Sequence, residues 1–312
     1  MRSLKFSLPA SSAAAFTLVA GLAMAVVATP ASAQPISYIY GIDDSNNIWE
    51  INPVGQTASQ VFATGLPGTA NSNAFAYDKV RENMFFLNGS GTSSQLYVWN
   101  KPTNSLSIAA TAAQLGVVDP NPNQQAANAA YNAADGRYWF FQDGTDQLYS
   151  VAFSYTGNIP TFNGTTFYTV GGGYGSSFYG DIAIDPTQGS NGLLYGSTTT
   201  GEFFSLDLSD APNSYNNLGT SGVGLQLSFN SDYTTLYGQD FSTKEWYTVD
   251  TGSGAIGSSF WTLSDDAFRD LGGSSETTAA IPEIDPTAFG GVLALVLGSL
   301  GLLERRRLAV AV

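Results

Sequence analysis

The sequence contains no cysteine and no histidine among its 312 residues. Without cysteine, the chain has no disulfide, no thiol nucleophile and no cysteine ligand for an iron–sulfur cluster. Without histidine, it has neither a Ser-His-Asp triad nor an ordinary histidine-ligated zinc site. These absences exclude several classes of enzyme, but they leave open the glycosidases, which need only a pair of carboxylates.

Basic residues are scarce as well. Between residues 34 and 281 there are six basic and 22 acidic residues, which gives this part of the chain a net charge of −16. A surface of that sign repels phosphate backbones and anionic lipid, so the sequence predicts that the protein does not bind nucleic acid. The same acidity is typical of a domain that stays soluble outside the cell.

Residues 1–33 have the three parts of a secretory signal peptide. Arg2 and Lys5 form a short basic start, and residues 13–27 form an apolar run. An uncleaved membrane anchor is the alternative, but a run of small residues follows directly and favours cleavage by signal peptidase. The predicted cleavage site and the first residue of the mature chain are given by Ala31, Ser32, Ala33 and Gln34.

Residues 282–312 form a second segment of three parts. It begins with a motif bounded by prolines, which consists of Pro282, Glu283, Ile284, Asp285 and Pro286. Residues 288–303 are apolar and would form a helix of about 24 Å, close to the ~30 Å of a hydrocarbon core. A cluster of basic residues follows, formed by Arg305, Arg306 and Arg307. The positive-inside rule predicts that this cluster stays in the cytoplasm. The sequence therefore predicts a C-terminal membrane segment with the body of the protein outside.

The order of a Pro-Glu-Pro-like motif, one apolar helix and a terminal arginine cluster resembles the PEP-CTERM sorting signal of exported bacterial proteins. The resemblance implies that an exosortase, a membrane protease-transpeptidase, removes the tail during export. It also implies a connection with extracellular polysaccharide and biofilm, to which members of the family are often linked. Ile284 and Asp285 separate Pro282-Glu283 from Pro286, so the position of cleavage stays open. We expect a membrane-anchored form before processing and a cell-surface or extracellular form afterwards.

The body, residues 34–281, repeats a pattern of polar, apolar, aromatic, any and apolar residues. A short aromatic strand precedes each copy, a small–apolar–Asx triplet precedes four of those strands, and a fourth strand-like stretch follows each copy. Four strands in a unit of about 40–55 residues is typical of a β-propeller blade. The five aromatic positions of the repeat are Trp49, Tyr97, Tyr149, Phe204 and Tyr247, and we expect Tyr97, Tyr149 and Phe204 to occupy equivalent buried positions.

The sequence thus predicts an all-β fold, a β-propeller of about five four-stranded blades, with an N-terminal signal helix and a C-terminal hydrophobic helix. An open β-solenoid or a sandwich is the alternative. The first unit lacks its innermost strand, and a spare segment, residues 266–271, follows the last unit. We expect this segment to supply the missing strand, because closing the ring in that way removes two exposed sheet edges.

Several polar groups are candidates for a site in the body. The Asx residues of the triplets could form a ring of ligands, but the turn residues after each favour a role in capping turns. The sequence predicts no cofactor. Calcium in the loops at residues 43–47 and 143–146 is a weaker alternative, because neither loop has the bidentate glutamate that ends a calcium-binding loop. Glu202 and Glu245 occupy the polar position of the repeat, which suits a structural role. The four Asx residues are Asp78, Asn132, Asp185 and Asn230.

Two functional hypotheses remain. The first is a non-enzymatic binding or structural module at the cell surface, with envelope polysaccharide as the ligand, since exposed tyrosine and tryptophan rings stack on sugars. The second is a propeller-type glycan hydrolase that uses paired carboxylates. Convergence of three or more carboxylates at one mouth of the channel would favour the hydrolase, whereas a plugged channel would favour binding.

Overall fold

The computed structural model describes residues 36–66, 72–89, 94–117, 126–142, 145–171, 180–263 and 268–277. The predicted signal helix and the predicted C-terminal helix lie outside these residues. Within them, the strands form five antiparallel sheets of four strands each, which confirms the predicted five-bladed propeller. No helix in the described part of the chain is long and apolar enough to cross a membrane.

The strands follow the chain from blade to blade. The first blade contains β1 (Ile36–Asp43), β2 (Asn47–Asn52) and β3 (Thr57–Ala63), and the second contains β4 (Ser72–Asp78), β5 (Asn83–Asn88), β6 (Gln95–Asn100) and β7 (Ser105–Ala110). After the short helix α1 (Ala112–Leu115), the third blade contains β8 (Ala126–Asn132), β9 (Arg137–Gln142), β10 (Gln147–Thr156) and β11 (Ile159–Thr169). The fourth contains β12 (Ile182–Asp185), β13 (Leu193–Ser197), β14 (Glu202–Asp207) and β15 (Asn216–Thr220). The fifth contains β16 (Leu225–Phe229), β17 (Leu236–Asp240), β18 (Glu245–Val249) and β19 (Trp261–Thr262), and β20 (Phe268–Thr277) follows it.

The last strand closes the ring, as the sequence predicts. β20 pairs with β1, so the first sheet has the order β20-β1-β2-β3 and contains both ends of the described chain. The strand is longer than the predicted segment and extends to Thr277, while residues 266 and 267 lie outside the described part. Five inner strands, β20, β4, β8, β12 and β16, contact one another in a closed circle. We call the space that they enclose the central channel.

The hydrophobic core consists of five clusters, one between each pair of neighbouring blades. Because each sheet packs against another on both faces, successive residues of a strand are buried, as Phe203 and Phe204 of β14 are. This arrangement explains why the repeat is rich in adjacent apolar residues and lacks the simple alternation of a half-exposed strand.

The five repeated aromatic residues occupy one register position. Each lies opposite either a glycine or another aromatic residue of the second strand, so the predicted equivalence is confirmed. Tyr149 and Phe204 are buried, but Tyr97 is only half-buried, because its ring lies at the edge of its cluster and its hydroxyl donates to Gln95. At Gly196, an added Cβ would lie 2.0 Å from Cζ of Phe204, so the bare backbone makes room for the ring.

Candidate functional site at the channel mouth

The inner strands end in turns that are held by their own side chains. Asp78 Oδ1 accepts hydrogen bonds from the amides of Val80 and Arg81, and Asn132 Oδ1 accepts one from Ala134. Asp185 and Asn230 accept comparable bonds from amides two and five residues further on. The capping role predicted for the four Asx residues is therefore confirmed, and the turns bring the residues beside them to one end of the channel.

At that end lies a small pocket of about 30 Å³, open to solvent and lined by residues from all five blades. Blade one contributes Gly273 and Ser274, and blade four contributes apolar residues of β12. We call the aromatic and basic part of its lining the tyrosine mouth, and it consists of Tyr77, Lys79, Tyr131, Phe229 and Tyr233.

Lys79 and Tyr233 form a preorganised pair at the rim. The Lys79 ammonium donates to the carbonyl of Ser231 at 2.8 Å and lies 4.9 Å from the centre of the Tyr233 ring, within range of a cation–π interaction. Tyr233 has φ = 61°, a left-handed conformation that is unusual for a bulky residue. Its amide donates to Asn230 in the turn, which holds the ring over the pocket. Sequence inspection missed this residue because a turn position gives no signal of binding.

Tyr131 is fixed on the opposite side of the rim. Its ring stacks on Phe85 with centroids 5.9 Å apart, and its hydroxyl shares a hydrogen bond of 3.1 Å with that of Tyr155. The guanidinium of Arg81 lies 3.7 Å from the centre of the Tyr155 ring and donates to Asp78. Burial raises the pKa of Tyr131 far above its ordinary value, and burial with the nearby Asp185 raises the pKa of Tyr233 to about 12. Both phenols therefore remain neutral and keep a hydroxyl for hydrogen bonding.

The glutamates of the repeat bind tyrosines within the fold. Glu202 accepts from the Tyr215 hydroxyl at 2.7 Å, and Glu245 accepts from the Tyr247 hydroxyl at 2.6 Å. These contacts confirm the predicted structural role of both glutamates. Glu50 accepts from Tyr40 at 2.7 Å.

Two carboxyl groups meet inside the channel, and sequence reasoning did not identify them as a site. Asp181 and Asp270 are fully buried and hydrogen-bonded to each other, although they belong to blades four and one. Asp181 Oδ2 also accepts from the amides of Leu227 and Leu271, at 2.9 and 3.1 Å. Asp270 Oδ2 accepts from the amide of Phe75 at 2.6 Å, so the pair connects blades one, two, four and five.

The protonation of this carboxyl pair differs from that of ordinary aspartates. Burial, as the main cause, raises the pKa of Asp181 to about 7, although its hydrogen bonds oppose the shift. Burial and the neighbouring Asp181 raise the pKa of Asp270 well above its ordinary value. Two carboxyl groups in contact can form a hydrogen bond to each other only if they share a proton, and that is their state near neutral pH.

The loop at residues 43–47 is a satisfied turn. Asp43 accepts four hydrogen bonds, from the amides of Ser45 and Asn47, the side-chain amide of Asn47 and the indole of Trp49. With its oxygens committed to these donors, Asp43 suits the turn and not a cation. In the second predicted loop, residues 143 and 144 lie outside the described part.

The described part also leaves out the predicted processing sites. The signal-cleavage residues Ala31, Ala33 and Gln34 lie outside it, and so do the sorting motif, residues 282–286, and the arginine cluster, residues 305–307. Their roles stay predictions from the sequence.

No protein-family model and no curated protein sequence matches the chain. Solved structures do resemble it in fold at low identity. A chain in a nidogen/laminin complex is 11% identical, with a TM-score of 0.46, and the match covers 77% of this chain and 98% of that one. A protein of unknown function from Bacteroides caccae is 15% identical, with a TM-score of 0.41 and 73% of each chain covered. An auxiliary nutrient binding protein from Bacteroides ovatus is 10% identical, with a TM-score of 0.44, and 75% of this chain and 58% of that one are covered.

Proposed function

We propose that the protein is an exported cell-surface protein whose propeller binds a neutral polysaccharide of the cell envelope at the tyrosine mouth. The observation that carries the proposal is the convergence of five inner strands on one open pocket whose rim presents fixed aromatic rings. An aromatic ring offers an apolar face for the C–H groups of a sugar, and its hydroxyl offers a hydrogen bond to the sugar's polar edge. Lys79 adds further donors to the same rim.

The charge of the chain supports a neutral ligand. With a net charge of −16 between residues 34 and 281, the surrounding surface repels polymers of uronic acids or phosphates. Lys79 already donates to Ser231 and contacts Tyr233, so part of its charge is compensated within the site.

Export and anchoring belong to the proposal on the strength of the two ends of the sequence. The signal peptide would direct the chain out of the cytoplasm, and the arginine cluster would hold the end of the tail inside until an exosortase acts. The propeller would then be presented on the outer side, where envelope polysaccharide is found.

The observed carboxyl pair does not support the hydrolase alternative. Glycosidases need two carboxyl groups about 5–9 Å apart with the substrate between them. Asp181 and Asp270 are in hydrogen-bond contact and fully buried, which leaves no room for a sugar between them.

The binding proposal is tested by screening the full chain, purified in detergent, on an array of bacterial polysaccharide fragments. We expect signals for neutral fragments, and we expect Lys79→Ala and Tyr233→Ala each to lower the affinity at least tenfold. Phe241→Ala is the matched control. Phe241 is an aromatic residue that is 40% exposed, but it lies in the turn between β17 and β18 and does not line the pocket. Binding that survives both mouth substitutions, or that is confined to anionic polymers, would refute the proposal.

A further inference from the structure

One register position of the five inner strands carries an oxygen-bearing side chain in every blade. The pairing with the second strand defines this position: Asn73 pairs with Leu87, Asn128 with Phe141, Gln226 with Gln239 and Asp270 with Ile42. The fifth, Asp181, directly precedes β12, and its carbonyl accepts from the amide of Ser197 at the corresponding place. We call this set the oxygen ring, and it consists of Asn73, Asn128, Asp181, Gln226 and Asp270.

The side chains of the oxygen ring share an orientation as well as a register. Asp270 reaches from blade one to the amide of Phe75 in blade two, and Asp181 reaches from blade four to the amide of Leu227 in blade five. Asn128 reaches in the same sense from blade three, where its side-chain amide donates to the carbonyl of Gly180 beside Asp181. Since Asp181 and Asp270 also contact each other from non-adjacent blades, these side chains extend into the central channel.

Apart from the proton that Asp181 and Asp270 share, four oxygens of this ring have no hydrogen-bond donor among the described residues. They are Oδ1 of Asn73, Oδ1 of Asn128, Oε1 of Gln226 and Oδ1 of Asp270. Asn128 is 1% exposed, Gln226 5% and Asp270 0%, so bulk water does not compensate them. A buried acceptor without a donor is costly, and four at equivalent positions call for a common partner.

We propose that the oxygen ring binds one calcium ion in the central channel. Carboxylate and amide oxygens are the ligands that Ca²⁺ prefers, and its flexible coordination by six to eight oxygens can combine the four available oxygens of the ring with water. Asp181 contributes negative charge beside the ion, because its own oxygens accept from the amides of Ile182, Leu227 and Leu271. A divalent cation also suits a channel that holds two carboxyl groups and no basic side chain of the oxygen ring. Mg²⁺ fits less well, because it requires near-ideal octahedral geometry and loses its waters reluctantly. The site is separate from the tyrosine mouth, so it stands or falls independently of polysaccharide binding.

The first test measures calcium in the full chain purified in detergent. We expect native mass spectrometry of the calcium-loaded chain to show one bound Ca²⁺ per chain. We also expect the melting temperature to rise by several degrees between chelator and about 10 mM Ca²⁺, which is a hundredfold excess over a Kd of about 10⁻⁴ M. The same concentration of Mg²⁺ should have little effect. A chain without bound calcium whose melting temperature is the same in chelator and in calcium would overturn the proposal and would assign the channel to water and the shared proton.

Substitutions locate the ion. Asp270→Asn keeps the shape of the side chain but removes a charge, and it should weaken calcium binding at least tenfold. Gln226→Glu adds a carboxylate to the ring, so it should tighten calcium binding while lowering the melting temperature in chelator. Asp210→Asn makes the same change of charge at an exposed turn and should leave the calcium response unchanged. Gln226→Glu keeps the test decisive if Asp270→Asn does not fold. If Gln226→Glu weakens the calcium response, or if Asp210→Asn lowers it as much as Asp270→Asn does, the ring is not the site.

Discussion

The pairing of Gly196 with Phe204 provides a quantitative test of the register within a blade. In Gly196→Ala, the new methyl group would lie 2.0, 2.5 and 2.7 Å from three atoms of the Phe204 ring, and these are its three nearest neighbours. The ring has to move within a buried cluster, and overpacking of this kind costs about 1–3 kcal/mol. Phe204→Ala removes the ring and should cost about 3–5 kcal/mol.

The two substitutions should not be additive. Once Phe204 is alanine, the three ring atoms nearest to the methyl group of Gly196→Ala are gone, so the cost of Gly196→Ala in that background should fall to near zero. The double-mutant cycle should therefore show a coupling of about 1–3 kcal/mol. Denaturant unfolding of the four proteins measures these free energies, with Ser205→Ala on the other face of β14 as a control that should cost little. Equal costs of Gly196→Ala in both backgrounds would refute the register.

Three further expectations concern closure, pH and sorting. Truncation after Leu263 removes β20, with its buried Phe268 and Leu271, and should lower the free energy of unfolding by several kcal/mol, as measured by denaturation. The pKa of Asp181 is about 7 in the fold and about 3.9 in an unfolded chain, so the native state binds more protons between these values. The free energy of unfolding of the protein, measured in chelator, should therefore fall as the pH rises from about 4 to 8. In Asp270→Asn, the free energy of unfolding should depend less strongly on pH. Replacing Arg305, Arg306 and Arg307 by glutamine should impair membrane retention and processing without changing the fold. Cell fractionation and mass measurement of the mature chain test this expectation. If the variant is processed like the parent, the sorting signal loses its physical basis.

The blade repeat could be predicted from the sequence because its signal is local and occurs five times. Each blade shows the aromatic position of its third strand, and four of the five also show the Asx turn after the first strand, so the copies support one another where a single copy is ambiguous. The closing strand could be predicted for a related reason: the first unit lacks a strand and the last has one to spare.

The two sites in the channel could not be predicted in this way. Tyr77 and Tyr131 belong to the triplets, where an aromatic residue is expected in the core, and only the assembled ring shows that they line an open pocket. Asp181 and Asp270 are 89 positions apart in sequence, and their contact depends on the closure of the whole propeller. A single acidic residue near the start of an apolar strand gives no indication of its partner across the channel.

The pairing of β20 with β1 is the claim on which the closed ring, the channel and both sites depend. Since the chain has no cysteine, a single engineered disulfide tests it without background. Ser37 and Glu276 are register partners, so their Cα atoms lie about 4.5–5.5 Å apart, within the range that a disulfide spans. We expect Ser37→Cys/Glu276→Cys to form an intramolecular disulfide in the monomer. Ser37→Cys/Ser275→Cys should form little, because a shift of one residue puts the second side chain on the opposite face. Failure of the first pair to close, or equal closure of both, would contradict the propeller ring described here.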